Sequence, residues 1–180
     1  MLSQENDRMV DLVVLQSLSY TAGAISVVLG VIYYAINLRE QKQTRQFQML
    51  MQLSQHDFSK EGKIDHLEWQ KMEWKDYNDF LRKYDSSVNI ESFAIRDVKA
   101  GQYGLLGILV ERGIINRDLM YDWAGENAIM DWRKYREIAL AQRKEFNRPQ
   151  VAANWEYLYG EMVKVAKARG VEVEKFATKF

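Results

Sequence analysis

As a pattern of hydrophobic and polar positions, the chain divides at Arg39. From Leu12 to Leu38 (LVVLQSLSYTAGAISVVLGVIYYAINL) there is no Asp, Glu, Lys, Arg, His or Pro, and Asp11 and Arg39 bound the run. A helix apolar on every side has no face to turn toward water. At 1.5 Å rise per residue the run reaches roughly 40 Å, and a bilayer's hydrocarbon core needs only about 20 residues. The pattern predicts a transmembrane helix over residues 12–38.

Beyond Arg39 apolar positions recur at helical spacing between charges. Residues 39–58 (REQKQTRQFQMLMQLSQHDF) lack Gly and Pro and are rich in good helix formers, so the helix is expected to continue as a juxtamembrane stalk. Phe47, Leu50, Met51 and Phe58 fall near one face, expected to pack on the rest of the chain. Residues 59–84 read as one or two short helices, the first carrying Ile64, Leu67 and Met72, with Trp69 and Trp74 nearby. Asp76 can cap the second, which carries Tyr77, Phe80, Leu81 and Tyr84. A long helix follows from about Asn89, an N-cap, to Arg112, with Gly113 placed for a left-handed C-cap. Its expected inward side is Ala94, Val98, Gly101, Leu105, Ile108 and Leu109. Gly101, Gly104 and Gly107 together cost that helix roughly 3 kcal/mol relative to alanine, which close approach by a neighbouring helix would offset.

The next helix opens at Asn116 or Asp118 and runs to about Glu145, bent near Gly125, with Leu119, Trp123, Ile129 and Trp132 inward. Pro149 marks the start of a last helix, through Trp155, Leu158, Tyr159, Met162 and Val165 to Gly170. The expected fold is all-α: one N-terminal transmembrane helix continuing into a stalk, then a small cytoplasmic helical bundle. The expected boundaries are an extracytoplasmic N-terminus 1–11, the membrane helix 12–38, the stalk 39–58, the bundle 59–170 and a flexible tail 171–180.

Charge sets an orientation. Only Arg8 lies close before the apolar run, whereas Arg39, Lys42 and Arg45 follow it closely. Positive-inside counting puts the C-terminal domain in the cytoplasm and the N-terminus outside, with Arg39, Lys42 and Arg45 as basic anchors at the membrane exit. The acidic start MLSQENDRMVD does not resemble a signal peptide's basic n-region, so an uncleaved anchor is expected. The chain has 25 basic and 25 acidic residues; Arg8, Glu5, Asp7 and Asp11 fall before Arg39, leaving 24 against 22. That balance gives no nucleic-acid footprint. Cysteine is absent, so disulfides and thiolate chemistry are excluded.

Within the membrane helix Ser19, Ala22, Gly23, Ser26 and Gly30 form a small-residue face. In lipid such residues let helix backbones approach, which points to a homo-oligomer or a membrane-complex partner besides the lipid bilayer. Catalytic and metal motifs are missing. His56 and His66 have neither the His-x-x-x-His spacing that would put two zinc ligands on one helix face nor a Glu-x-x-His motif. Gly101, Gly104 and Gly107 lack the Lys-Ser/Thr of a phosphate loop. No cofactor is implied and no enzyme is expected. Arg148, before Pro149, is the candidate structural lock between the last two helices.

Four groups of residues carry a resemblance. They are Tyr33-Tyr34 with Asn37-Leu38-Arg39 and Arg45; Trp74-Lys-Asp-Tyr77 with Phe80 and Lys83-Tyr84; Gly107-Ile-Leu-Val-Glu-Arg-Gly113 with Asp118, Leu119 and Tyr121; and Arg148-Pro149 with Trp155-Glu-Tyr-Leu158. In that order, over about residues 20–165, the chain resembles a family of small archaeal and bacterial single-span membrane proteins of unknown function. The resemblance implies a membrane anchor plus a cytoplasmic helical domain, and no activity. The expected function is a membrane-tethered interaction or scaffold protein, or an accessory subunit of a membrane complex. The alternative is a membrane-anchored enzyme or small-molecule sensor with an aromatic-lined pocket near Trp69, Trp74, Trp123, Trp132 and Trp155.

Overall fold

The computed structural model describes residues 2–176, with the side chains of residue 12 and of 14–176. Its described residues contain helices and turns and no strand, in two units, Met1–Met49 and Leu50–Phe180.

The first unit is a single rod, the greater part of α1 (Leu2–Leu53). Within Val14–Leu53 an 18-residue window reaches a mean hydropathy of 1.7, and none of that window is buried. Polar side chains in the apolar run satisfy themselves on their own helix. Ser19 Oγ donates to the Leu15 carbonyl at 2.9 Å, Thr21 to Ser17 at 2.8 Å and Ser26 to Ala22 at 2.8 Å. A helix that spends its hydroxyls this way presents few unmet polar groups to hydrocarbon. The side chains of the acidic flank at residues 1–11 lie outside the described residues.

The second unit begins with the last turn of α1, Leu50–Leu53, whose Leu50 is buried. The stalk helix thus stops five residues short of Phe58, and turns fill residues 54–59. Ser59 caps α2 (Lys60–Lys71), Asp76 caps α3 (Tyr77–Tyr84), Asn89 caps α4 (Ile90–Glu111) and Asn116 caps α5 (Arg117–Glu145), each by a side-chain oxygen that accepts a backbone N–H of the first turn. Gly113 takes the expected left-handed φ of 64° just beyond α4. α5 is kinked at Ala124 (φ −149°), beside the expected Gly125. The kink folds the Tyr121 ring back against Gly125, where a Cβ would stand 2.4 Å from ring carbon Cδ2.

The last helix, α6 (Ala153–Ala168), starts later than expected: residues 149–152 form turns, and Ala152 is left-handed (φ 51°). α6 lies against both α4 and α5, which touch each other far less than either touches α6. Its Trp155 indole is stacked between Tyr103 of α4 (4.7 Å between centroids) and Tyr135 of α5 (5.4 Å), with Trp132 edge-on at 5.5 Å. The approach of α4 to α6 requires Gly107, where a Cβ would meet the Asn154 carbonyl oxygen at 2.0 Å. Gly101 and Gly104 face open space, so the close approach inferred for three glycines belongs to one.

α4 also buries a different side from the one expected. Ile95, Arg96, Tyr103, Leu106, Gly107, Leu109 and Val110 are inside, whereas Val98, Leu105 and Ile108 are exposed. Beyond α6 a short 3-10 turn, Val173–Lys175, packs down: Val173 is buried and its carbonyl accepts from Arg133 Nη1 at 2.8 Å. The segment expected as a flexible tail is therefore held in its first part, and residues 177–180 lie outside the described residues.

Candidate ligand-binding site

The most demanding side chain in the second unit is Asp131 of α5, 1 % exposed. Taking a carboxylate out of water costs several kcal/mol unless its oxygens are fully bonded, and here they are. Oδ1 accepts from Trp69 Nε1 at 2.8 Å and Gln70 Nε2 at 3.3 Å; Oδ2 accepts from the Tyr103 hydroxyl at 2.8 Å and Lys99 Nζ at 3.3 Å. One carboxylate thereby joins α2, α4 and α5. Burial, reinforced by the Asp131 charge, pushes the Tyr103 pKa well above the usual tyrosine value, so the phenol keeps its proton and donates. Lys134 closes the arrangement from α5, donating to the Trp69 carbonyl and, at 2.9 Å, to that of Gln70. These are terminal carbonyls of α2, where a cation is favoured.

On the outer side of Lys99 and Tyr103 lies a pocket of about 200 Å³. α2 supplies Lys63 and His66, α4 supplies Gln102 and Leu106, and α5 supplies Trp123 and Asn127. The kink at Ala124 is part of its wall. The turn after α1 brings Asp57 and Phe58 to the rim, and Gly62 lets α2 press on that turn, a Cβ there meeting the His56 carbonyl oxygen at 2.0 Å. His66 is half-buried, and its imidazole makes no hydrogen bond to another described residue. Burial first, then the Lys99 charge, lowers its pKa below the ordinary histidine value, so its imidazole is neutral at pH 7. His56 instead pairs with Asp65 at 3.2 Å at the surface. Among the described residues no three His, Cys, Asp or Glu side chains converge on a possible metal position.

The residues singled out from the sequence are spread more widely. Ser19, Ala22, Gly23, Ser26 and Gly30 are exposed, and a Cβ on Gly23 or Gly30 would meet nothing within 4 Å. Arg39, Lys42 and Arg45 are exposed. Arg148 is exposed too, and its guanidinium bonds to no other described residue. Near this turn α5 is tied to α6 by Arg143, which donates from Nε to the Val151 carbonyl (2.8 Å) and from Nη1 to Glu156 (2.7 Å), and farther along by Arg117 with Glu161 (2.7 Å). Trp69, Trp132 and Trp155 are fully buried core; only Trp123 reaches the pocket.

Helical periodicity alone does not single out Asp131, Lys99 or Tyr103. The available signal was a carboxylate at position 131 inside the apolar series Ala128, Ile129, Trp132, Tyr135 and Ile138. A charge on the inward face of a helix demands buried partners.

No curated protein and no solved structure matches the chain. A family model does, over residues 20–162, from within the apolar run through most of α6. That length takes in the Asp131 junction and the pocket, and the chain belongs to the family described as a domain of unknown function, DUF4760.

Proposed function

We propose that this is a single-pass membrane protein that holds a helical interaction module at the cytoplasmic face, as a scaffold or as an accessory subunit of a membrane complex. The observation that carries the reading is α1: its apolar window is long enough to span a bilayer and none of it is covered by the chain. Hydroxyls turned back on their own helix, and exposed Arg39, Lys42 and Arg45 at one end, support the same reading. The uncovered face of Ser19, Gly23, Ser26 and Gly30 suits association with a second copy or another membrane helix. The module is read as binding rather than catalytic, since Asp131 is saturated with donors and sealed from solvent.

The test is fractionation with alkaline carbonate extraction, joined to topology mapping. The cysteine-free chain allows Ser3→Cys and Ser86→Cys to be labelled one at a time with an impermeant maleimide. The expected result is a carbonate-resistant membrane pellet, with Ser3→Cys labelled on intact cells and Ser86→Cys only after permeabilisation. A soluble or carbonate-extracted protein overturns the anchor, and the reverse labelling overturns the orientation. The pocket favours a second reading, in which the module also takes a small molecule.

A further inference from the structure

We propose that the pocket between α2, α4 and α5 binds a small soluble monocarboxylate with a short apolar chain. Its carboxylate would sit on Lys99 and His66 and its chain against Leu106 and Trp123. The inference rests on the small-molecule reading of the module and is independent of the membrane anchor.

Size comes first. About 200 Å³, at about 30 Å³ for each water in the liquid, is room for roughly seven non-hydrogen atoms. A short chain fits within the pocket, whereas a nucleotide or a long acyl chain would have to extend out of its open side.

Charge comes next. Asp131 is behind the wall with both oxygens occupied, and the pocket itself is faced by Lys63, Lys99 and Asp57. With Asp131 beside Lys99 the nearby charges balance, two lysines against two carboxylates, so the ligand is selected by unspent N–H donors and not by a net charge. An ammonium carries three N–H donors, of which Lys99 gives one to Asp131 at 3.3 Å. The Trp69 and Tyr103 rings, 6.0 and 5.6 Å from that nitrogen, hold the cation in place without consuming its donors. The His66 imidazole, with no hydrogen bond to another described residue, offers a neutral N–H to the same pocket. The apolar side is Leu53, Leu106 and Trp123.

Binding of this kind takes up a proton. The groups facing His66 are Asp57 from the turn, Lys63 on its own helix, Lys99 from α4 and Asp131 from α5, and burial with Lys99 keeps it neutral. A carboxylate placed against it favours imidazolium. Affinity therefore rises as pH falls from 8 toward 6, where the ligand is still ionised.

The full chain in lipid nanodiscs is titrated with hexanoate, 1-hexanol and hexylammonium, read by tryptophan fluorescence and calorimetry against empty discs. The expected result is saturable 1:1 binding of hexanoate, about tenfold or more tighter than either analogue. Lys99→Gln should weaken it by a similar factor, and His66→Gln should abolish its pH dependence. Because Lys99→Gln disturbs Asp131, Lys63→Gln serves as the second variant, with a smaller loss expected. Equal or tighter binding of 1-hexanol or hexylammonium overturns the carboxylate assignment and leaves the small-molecule reading standing. No saturable binding of any of the three overturns both. Oleate displacing hexanoate at equal or lower concentration overturns the assignment to a short soluble ligand.

Discussion

Three glycines on one helix should respond to alanine with opposite signs. At Gly107 a Cβ would lie 2.0 Å from the Asn154 carbonyl oxygen and 2.7 Å from its carbon. Carbon and carbonyl oxygen normally stay about 3.3 Å apart or more, so α4 and α6 must part by about 1.3 Å. The obstacle is backbone and cannot rotate away. Overpacking typically costs about 1–3 kcal/mol; a backbone clash belongs at the upper end, and alanine's helix preference returns about 1 kcal/mol. Gly107→Ala should thus destabilise the second unit by about 2 kcal/mol. Gly101→Ala and Gly104→Ala meet nothing within 4 Å and should each stabilise by about 0.5–1 kcal/mol. For a unit of this size 1 kcal/mol moves the Tm by about 4 °C, giving a fall of about 8 °C against rises of about 2–4 °C. All five tryptophans lie beyond residue 50, so thermal unfolding followed by tryptophan fluorescence reads this unit and not α1. A Gly107→Ala protein as stable as the Gly101→Ala one would refute the packing argument.

Three further substitutions test two nearby arginines and one buried acid. Arg143→Met removes the tie to Val151 and Glu156 and should cost about 1–2 kcal/mol in urea unfolding, discounted because Glu156 is half-exposed. Arg148→Ala should stay within about 0.5 kcal/mol. Asp79 receives hydrogen bonds from Lys83, from the Lys75 backbone N–H and from Arg82, which hold its pKa down to about 2. A depressed carboxylate contributes above its unfolded pKa and loses that contribution as pH falls through the folded value. Between pH 4 and pH 2 the wild-type urea midpoint should therefore fall further than that of Asp79→Asn; parallel curves would contradict the assignment.

Local chemistry was legible in the sequence wherever it is settled within a few residues. Asp76, Asn89 and Asn116 cap helices because their oxygens reach N–H groups two or three positions on, and Gly113 turns left because it alone lacks a Cβ. What distant segments decide was harder to read. The apolar side expected for α4 included Val98 and Leu105, but α6 fits only where Gly107 yields space, so burial turned to the side of Tyr103, Leu106 and Val110. Pro149 looked like a helix start, yet the left-handed Ala152 delays α6 by a turn. The Asp131 junction depends on donors up to 62 positions away, beyond any periodicity. Even so, an aspartate among inward positions was a visible anomaly.

The place of α6 has a consequence for how the polypeptide is made. Helices α4 and α5 are stacked chiefly against it and only slightly against each other, with Trp155 filling the gap between Tyr103 and Tyr135. Residues 153–168 are synthesised after everything they hold together. Until they emerge from the ribosome, the two longest helices of the domain are joined to each other by little beyond the Asp131 junction, and the sides that α6 covers remain open. The nascent domain cannot settle piece by piece; its keystone arrives last, and a chain cut before Trp155 should be prey for proteases rather than a smaller folded protein.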